Sequence, residues 1–418
     1  MRPLTSNEKL ALALIAFCLL AVVVSWPRGE PKWNGRTLKE WLRVSHDVQE
    51  ALSKSHARGP GLEALLKQGA DAEEAIYGMG PAIVPKLIAI AEEQDSPLRA
   101  KLERWSKSVG WTAHPFERDA PLKRAAFGGL GVLGSHAATA LPVLSNALFQ
   151  PEPDYAILGP LIGIGKPALP VLMAALTNSQ PRVQGMAYSS LAAMGTNAAS
   201  LAPNLRGLLA HPDLETRGRA IALLAGVTPV QENPFPPLLA LRADPAPQIR
   251  QWVVSGLSVA ARSRKADSPG MEEAAAAVAE LASDADPEVG RRAAWGLQHF
   301  KAAAAPHIPV LLGLLKESDE RRHFGAAVSL LTLKLRQSEI IPALAELLTA
   351  SQPHIREEVA AGLREMATEA EKFQPGLIGS LGDLGKDRYE QKRLYREDYE
   401  RREAKRLERL TAKPEAKK

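Results

Sequence analysis

The chain has one cysteine in 418 residues, Cys18, so it forms no internal disulfide and builds no zinc site from thiolates. Aromatic residues are scarce, at 5%. The alternating runs of Val, Ile, Thr and aromatics that mark sheets are hard to find. The nine histidines are scattered, with no His-Glu-x-x-His and no acidic cluster at metal-ligand spacing. A Gly-x-Ser-x-Gly elbow is absent as well. Gly129-Leu130-Gly131-Val132-Leu133-Gly134 matches the dinucleotide fingerprint letter for letter, but a helix-like run precedes it where the fingerprint needs a strand. Gly165-Lys166 is not a phosphate loop, because Pro167 stands where Ser or Thr is required and Pro160 where the first Gly is required. No catalytic residue, metal ligand or cofactor is expected, and the chain does not read as an enzyme.

What the sequence has is a repeat. Over 155–203 the same pattern occurs twice: an apolar helix-like run, a Gly, a few residues, a Pro, and a second apolar run. Leu161, Ile162 and Ile164 lead to Gly165, then Pro167 and Pro170, then Leu172 and Leu176. Leu191 and Met194 lead to Gly195, then Pro203, then Leu205, Leu208 and Leu209. Other copies carry Gly80 with Pro85 and Gly134 with Pro142, and weaker ones continue to about 381. Gly is expected to end the first helix in a left-handed conformation, and Pro in a first helical turn costs no hydrogen bond. Each pair then has an apolar face that only its neighbours can cover, which predicts a solenoid.

Around the repeats the composition changes. Residues 10–26 are almost wholly apolar, flanked by Lys9 and Arg28, with Trp26 at the end. As a helix, such a run reaches about 26 Å, slightly short of a hydrocarbon core of about 30 Å. A transmembrane anchor or a cleaved signal segment is expected, after a short flank at 1–9, with the bulk of the chain extracytoplasmic. Residues 27–70 read as a capping segment. Asn34-Gly35 signals a turn there, Thr37 and Glu40 form a capping box, and Leu38, Trp41 and Leu42 share a face. A stretch around Trp105 and Trp111 breaks the period and reads as a loop or small insert. The solenoid is assigned to 71–385 and a charged helical tail to 386–418. The tail holds 13 Lys and Arg against 8 Asp and Glu, a surplus equal to the formal +5 of the whole chain. Residues 1–385 are therefore formally neutral, and nucleic acid is an unlikely partner for the repeats.

The inter-repeat loops carry a resemblance. His211–Arg217 (HPDLETR), Ala243–Arg250 (ADPAPQIR) and Asp284–Arg291 (DADPEVGR) each place Asp and Pro before an Arg that starts an apolar helix. This resembles the turn of HEAT repeats, over about 71–381. The resemblance implies a structural ladder of Asp213, Arg217, Asp244, Arg250, Asp286 and Arg291, with Arg182, Arg321 and Arg356 in the same register. Arg182 lacks a preceding Asp, and Asp319 before Arg321 lacks the Pro. The Gly/Pro pair and the Trp33–Leu42 motif also resemble membrane-anchored HEAT-repeat proteins of unknown role from Verrucomicrobia and related bacteria. Trp252 and Trp295 follow their ladder Arg by two and four residues and are candidates for partner binding.

The expectation is an all-α, right-handed HEAT-like solenoid of about eight or nine helix pairs. Its expected role is a membrane-anchored, non-catalytic scaffold that holds a protein or peptide on its concave surface. Two alternatives are a tail that binds nucleic acid or anionic surfaces, and an enzyme such as the HEAT-like bilin lyases or DNA glycosylases.

Overall fold

The computed structural model describes residues 31–54, 60–92, 120–317, 319–349 and 352–411. The apolar run 10–26, the stretch around Trp105 and Trp111, and the last seven residues of the tail lie outside the described residues. Among those described, the only strands are Lys32–Trp33 and Arg36–Thr37; helices make up nearly all the rest. The helices come in pairs that pack in succession, as expected of a helical solenoid. Two compact units divide at Ala193 and Met194.

The first unit opens with its cap. Asn34 and Gly35 both have positive φ (48° and 80°), which suits a two-residue hairpin turn, and Trp33 pairs with Arg36 across it. Thr37 N donates to Glu40 Oε2 at 2.6 Å and Glu40 N to Thr37 Oγ1 at 3.4 Å, so the capping box closes in both directions. The helix Leu38–Lys54 buries Leu38, Trp41 and Leu42. Trp41 donates its indole N–H to the Trp33 carbonyl at 3.0 Å, and with Ala72 and Ala75 it forms a core against which Trp33 packs. The aromatic pair thus faces inward. The following helix, Pro60–Met79, runs across the boundary expected between residues 70 and 71. Gly61 and Gly69 weaken the helical pattern there, and at Gly69 the missing side chain makes room for Val48.

The helix Ala120–Leu133 then packs on Leu38–Lys54, Val84–Glu92 and Leu158–Ile164. The glycine run that mimics a dinucleotide site serves this packing. A Cβ on Gly163 would lie 2.6 Å from the Gly131 carbonyl oxygen, so the two backbones touch. The apolar stretch Pro121–Leu148 has the length and composition of a membrane span. Gly134 (φ 57°) interrupts it, and its leucines Leu122, Leu130, Leu133, Leu144 and Leu148 are buried in the repeat core.

The linkers follow the Gly-to-Pro spacing. Gly134 and Pro142, Gly195 and Pro203, and Lys301 and Pro309 are each eight residues apart, with a 3-10 turn between them. Gly80 (φ 70°, ψ −170°) and Gly165 (φ 77°, ψ −132°) have positive φ, but their ψ lies outside the left-handed helical region that the sequence pattern predicts. Lys301 adopts the same geometry (φ 56°, ψ −132°) with a side chain attached. Such a conformation costs about 1–3 kcal/mol. Its ammonium group donates to the carbonyls of Arg262 (3.4 Å) and Arg264, at and just beyond the C-terminus of the helix Pro247–Arg262. A cation there also meets the negative end of the helix dipole.

In the second unit, Leu214–Val227, Pro247–Arg262, Pro287–Gly296, Glu320–Leu333 and Pro353–Glu365 pack in succession. Trp252 lies over Gly218 so closely that a Cβ would come within 2.2 Å of the indole. In the loop at 263–270, Arg264 is buried and donates to the carbonyls of Ala260, Thr228, Pro229 and Glu232. Desolvation pushes its pKa down. The tail helix Lys386–Thr411 is not solvated over its whole length, as its charge pattern suggested. Its first turns sit on Pro353–Glu365, where Arg388 and Lys392 both pair with the buried Glu358.

Candidate functional site

The turns between pairs separate two kinds of Asp. Asp213 and Asp286 are N-caps. Asp213 Oδ2 accepts from Thr216 N at 2.8 Å, and Asp286 Oδ1 accepts from Glu288 N (3.1 Å) and Val289 N (2.9 Å). Hydrogen bonds from the Thr216 hydroxyl and N–H hold the Asp213 carboxyl below its ordinary pKa. Asp244 and Asp284 stand two residues before a cap position, and these meet the arginines. Arg217 reaches Asp244 at 3.4 Å, and Arg250 grips Asp284 with two bonds of 2.7 and 2.8 Å. Each of the two carboxylates is also pinned by an N–H two residues on, from Ala246 (2.9 Å) and Asp286 (2.8 Å). The Arg250 guanidinium holds Asp284 below the usual carboxylate range, and Asp284 in turn raises the pKa of Arg250.

The expected ladder is therefore corrected at three positions. Asp213 and Asp286 act as caps, with Asp284 the partner of Arg250. Arg291 bends back onto Glu288 of its own helix (2.6 and 2.8 Å), which also binds Arg292 at 2.9 Å. Glu288 is held down to about 2, chiefly by Arg291. In the next pair the inward cation is Arg322 rather than the exposed Arg321. Arg322 donates to the Asp284 carbonyl at 2.7 Å and faces Glu317 and Asp319 at 3.5 Å each. The turn at Asp284 thus ties together helices of three successive pairs. In the first unit, Arg124 pairs with Asp154 at 2.9 Å, and Arg182 stands 5.1 Å over the Tyr155 ring.

The second feature is aromatic. Trp295, on Pro287–Gly296, is 39% exposed. Its ring lies 5.8 Å from Phe324, on Glu320–Leu333. Phe324 meets His354, on Pro353–Glu365, edge to face at 5.4 Å. Three successive helices thus contribute one ring each to a continuous row, a geometry that aromatic pairs favour. Arg291 and Arg292 precede Trp295 by about one helical turn, and the exposed Arg321 precedes Phe324 by three residues. Trp252 is half-buried against Gly218. Of the two tryptophans singled out from sequence, Trp295 is the exposed one. Phe324 and His354 were missed; one ring on each of the three first helices was the available signal.

Among the described residues, no group of three or more His, Cys, Asp or Glu could hold a metal ion. No family model matches the chain, and no curated protein matches it. Solved structures do. YibA of E. coli is 18% identical, over 53% of this chain and 78% of its own, with a TM-score of 0.41. Kap121p, in its crystal structure bound to Pho4p, is 12% identical over 76% of this chain, with a TM-score of 0.44. The chain spans 39% of Kap121p. The complex of CpcE and CpcF of phycocyanin lyase from Nostoc is 16% identical over 58% of this chain and 94% of its own, with a TM-score of 0.33. At these values, the reading of this chain rests on its own helix pairs and turns.

Proposed function

We propose that this protein is a non-catalytic scaffold whose eight or nine helix pairs hold a protein or peptide partner, tethered to a membrane by residues 10–26. The observation that carries the reading is the row Trp295–Phe324–His354, three rings from three successive helices, partly open to solvent. Exposed aromatics beside arginines are the side chains most often found at binding hot spots. Rigid helices fix the spacing of the rings, so ordering them on binding costs little entropy. The apolar run with basic flanks supports the tether.

The test is site-specific photo-crosslinking in the native host, with the crosslinker in place of Phe324 or, as a control, of the exposed Leu66 on the other unit. A discrete partner captured at 324 and lost in Trp295→Ala is expected. Equal capture at both positions, or unchanged capture in Trp295→Ala, contradicts the assignment.

A further inference from the structure

A cleft of about 780 Å³ opens between Glu320–Leu333, Pro353–Glu365 and the tail helix Lys386–Thr411. Its size is within the ~300–1,000 Å³ range of small-molecule sites. The floor is apolar. Val328 and Leu331 come from one helix, and Gly362 from the next lets Leu331 settle so close that a Cβ would be 2.4 Å from it.

The rim is charged, and its charges do not balance. Glu358 is shared by Arg388 and Lys392. Glu365 offers one oxygen, Oε2, to both Lys334 (3.8 Å) and Arg396 (3.0 Å). Of the side chains that line the cleft, three cations (Lys334, Lys392 and Arg396) thus face two carboxylates, and Arg388 adds a further cation at Glu358 outside the lining. Glu358 and Glu365 are largely buried, whereas Lys334 and Arg396 extend into solvent beside the apolar floor. Tyr395, on the tail helix, lines the cleft and is 75% exposed. A surplus of positive charge over an apolar floor is complementary to an anion with an apolar body.

We propose that this cleft binds a small amphiphilic carboxylate, with one anionic head and an aliphatic or aromatic body. The head binds at Lys334 and Arg396, whose shared Glu365 leaves one positive charge in surplus. A monoanion closes that balance, and the planar fork of Arg396 matches a carboxylate. The body lies on Val328 and Leu331, beneath the Tyr395 ring. The ligand then touches both the last repeats and the tail helix, and binding holds the two together. The site is independent of the aromatic row.

The test is calorimetric titration of the full chain with decanoate, and with decanol as the uncharged control. One-to-one binding of decanoate is expected, with decanol at least about tenfold weaker, as the loss of a charged hydrogen bond implies. Thr332 lines the cleft from an exposed position, so Thr332→Trp fills the space and should abolish binding. Arg396→Gln should weaken it about tenfold. Arg396 lies on the surface, so this variant still decides the matter if Thr332→Trp folds poorly. Decanol binding as tightly as decanoate overturns the proposal. So does uptake at several sites that neither variant changes.

Discussion

Arg124–Asp154 belongs to the first unit and Arg250–Asp284 to the other, and the two pairs share one design. Each joins an Arg near the start of one helix to an Asp in the following turn, at 2.9 and 2.7 Å. Their surroundings differ. The Arg124 pair is 62% and 42% exposed, the Arg250 pair 15% and 9%. Both carboxylates are pinned by the N–H two residues on, but Asp284 is also gripped through both oxygens and set in a turn whose carbonyl binds Arg322. Water competes for the Arg124 pair and screens it, whereas the Arg250 pair is part of a network in a drier place. A repeated motif therefore does not imply a repeated energy.

Three measurements would break or sharpen this contrast. The largest effect is expected from Asp284→Ala, which removes both Arg250 bonds and the pin on Asp286 N. Arg250 keeps its contacts to the carbonyls of Asp244 and Pro245, so the loss should be about 2 kcal/mol in denaturant unfolding. Hydrogen exchange should rise first over 247–296, because each pair mainly supports its neighbours. Uniform acceleration along the whole chain would show that the turn is not a local clasp.

A smaller effect is expected on acidification. Glu288 ordinarily titrates near 4.5 and is held at about 2 in the fold. Asp284 is likewise lowered from 3.8. A carboxylate with a depressed folded pKa contributes stability above its unfolded value, and that stability is lost as pH falls through the folded one. The second unit should therefore weaken between about pH 4.5 and pH 2. In Glu288→Gln that part of the pH dependence should flatten; an unchanged acid profile would show that other carboxylates control it.

The smallest effect belongs to Arg124→Gln. An exposed pair contributes about 0–1 kcal/mol, and less as salt rises. A loss comparable to that of Asp284→Ala, insensitive to salt, would erase the distinction between the two turns.

Much of the helix pairing was legible because it is local. Gly165 and Pro170, or Gly195 and Pro203, announce the end of one helix and the start of the next within a few residues. The capping box at Thr37 and Glu40 was legible for the same reason. Lys301 was not, since nothing in its own sequence marks a residue forced into a glycine conformation. Glu358 reads as an ordinary surface acid until the tail helix folds over it. Phe324 and His354 carried no weight individually, and only the stacking of three helices makes them a row with Trp295.

The sequence by itself determined the class of fold, the pairing of helices and the concentration of the net positive charge in the tail. Each of these depends on hydrophobic period, on turn residues a few positions apart, or on a charge count. Only the tertiary structure decided which charges meet. The partners are 27 residues apart for Arg217 and Asp244, 34 for Arg250 and Asp284, and 38 for Arg322 and the Asp284 carbonyl. Over such separations a slip of one or two residues changes the partner, as it does from Arg321 to Arg322 and from Asp286 to Asp284. The offset of one helix against the next is set by side-chain packing, at Gly218 beneath Trp252 for example. Packing of that kind depends on shape in three dimensions, and no spacing along the chain encodes it.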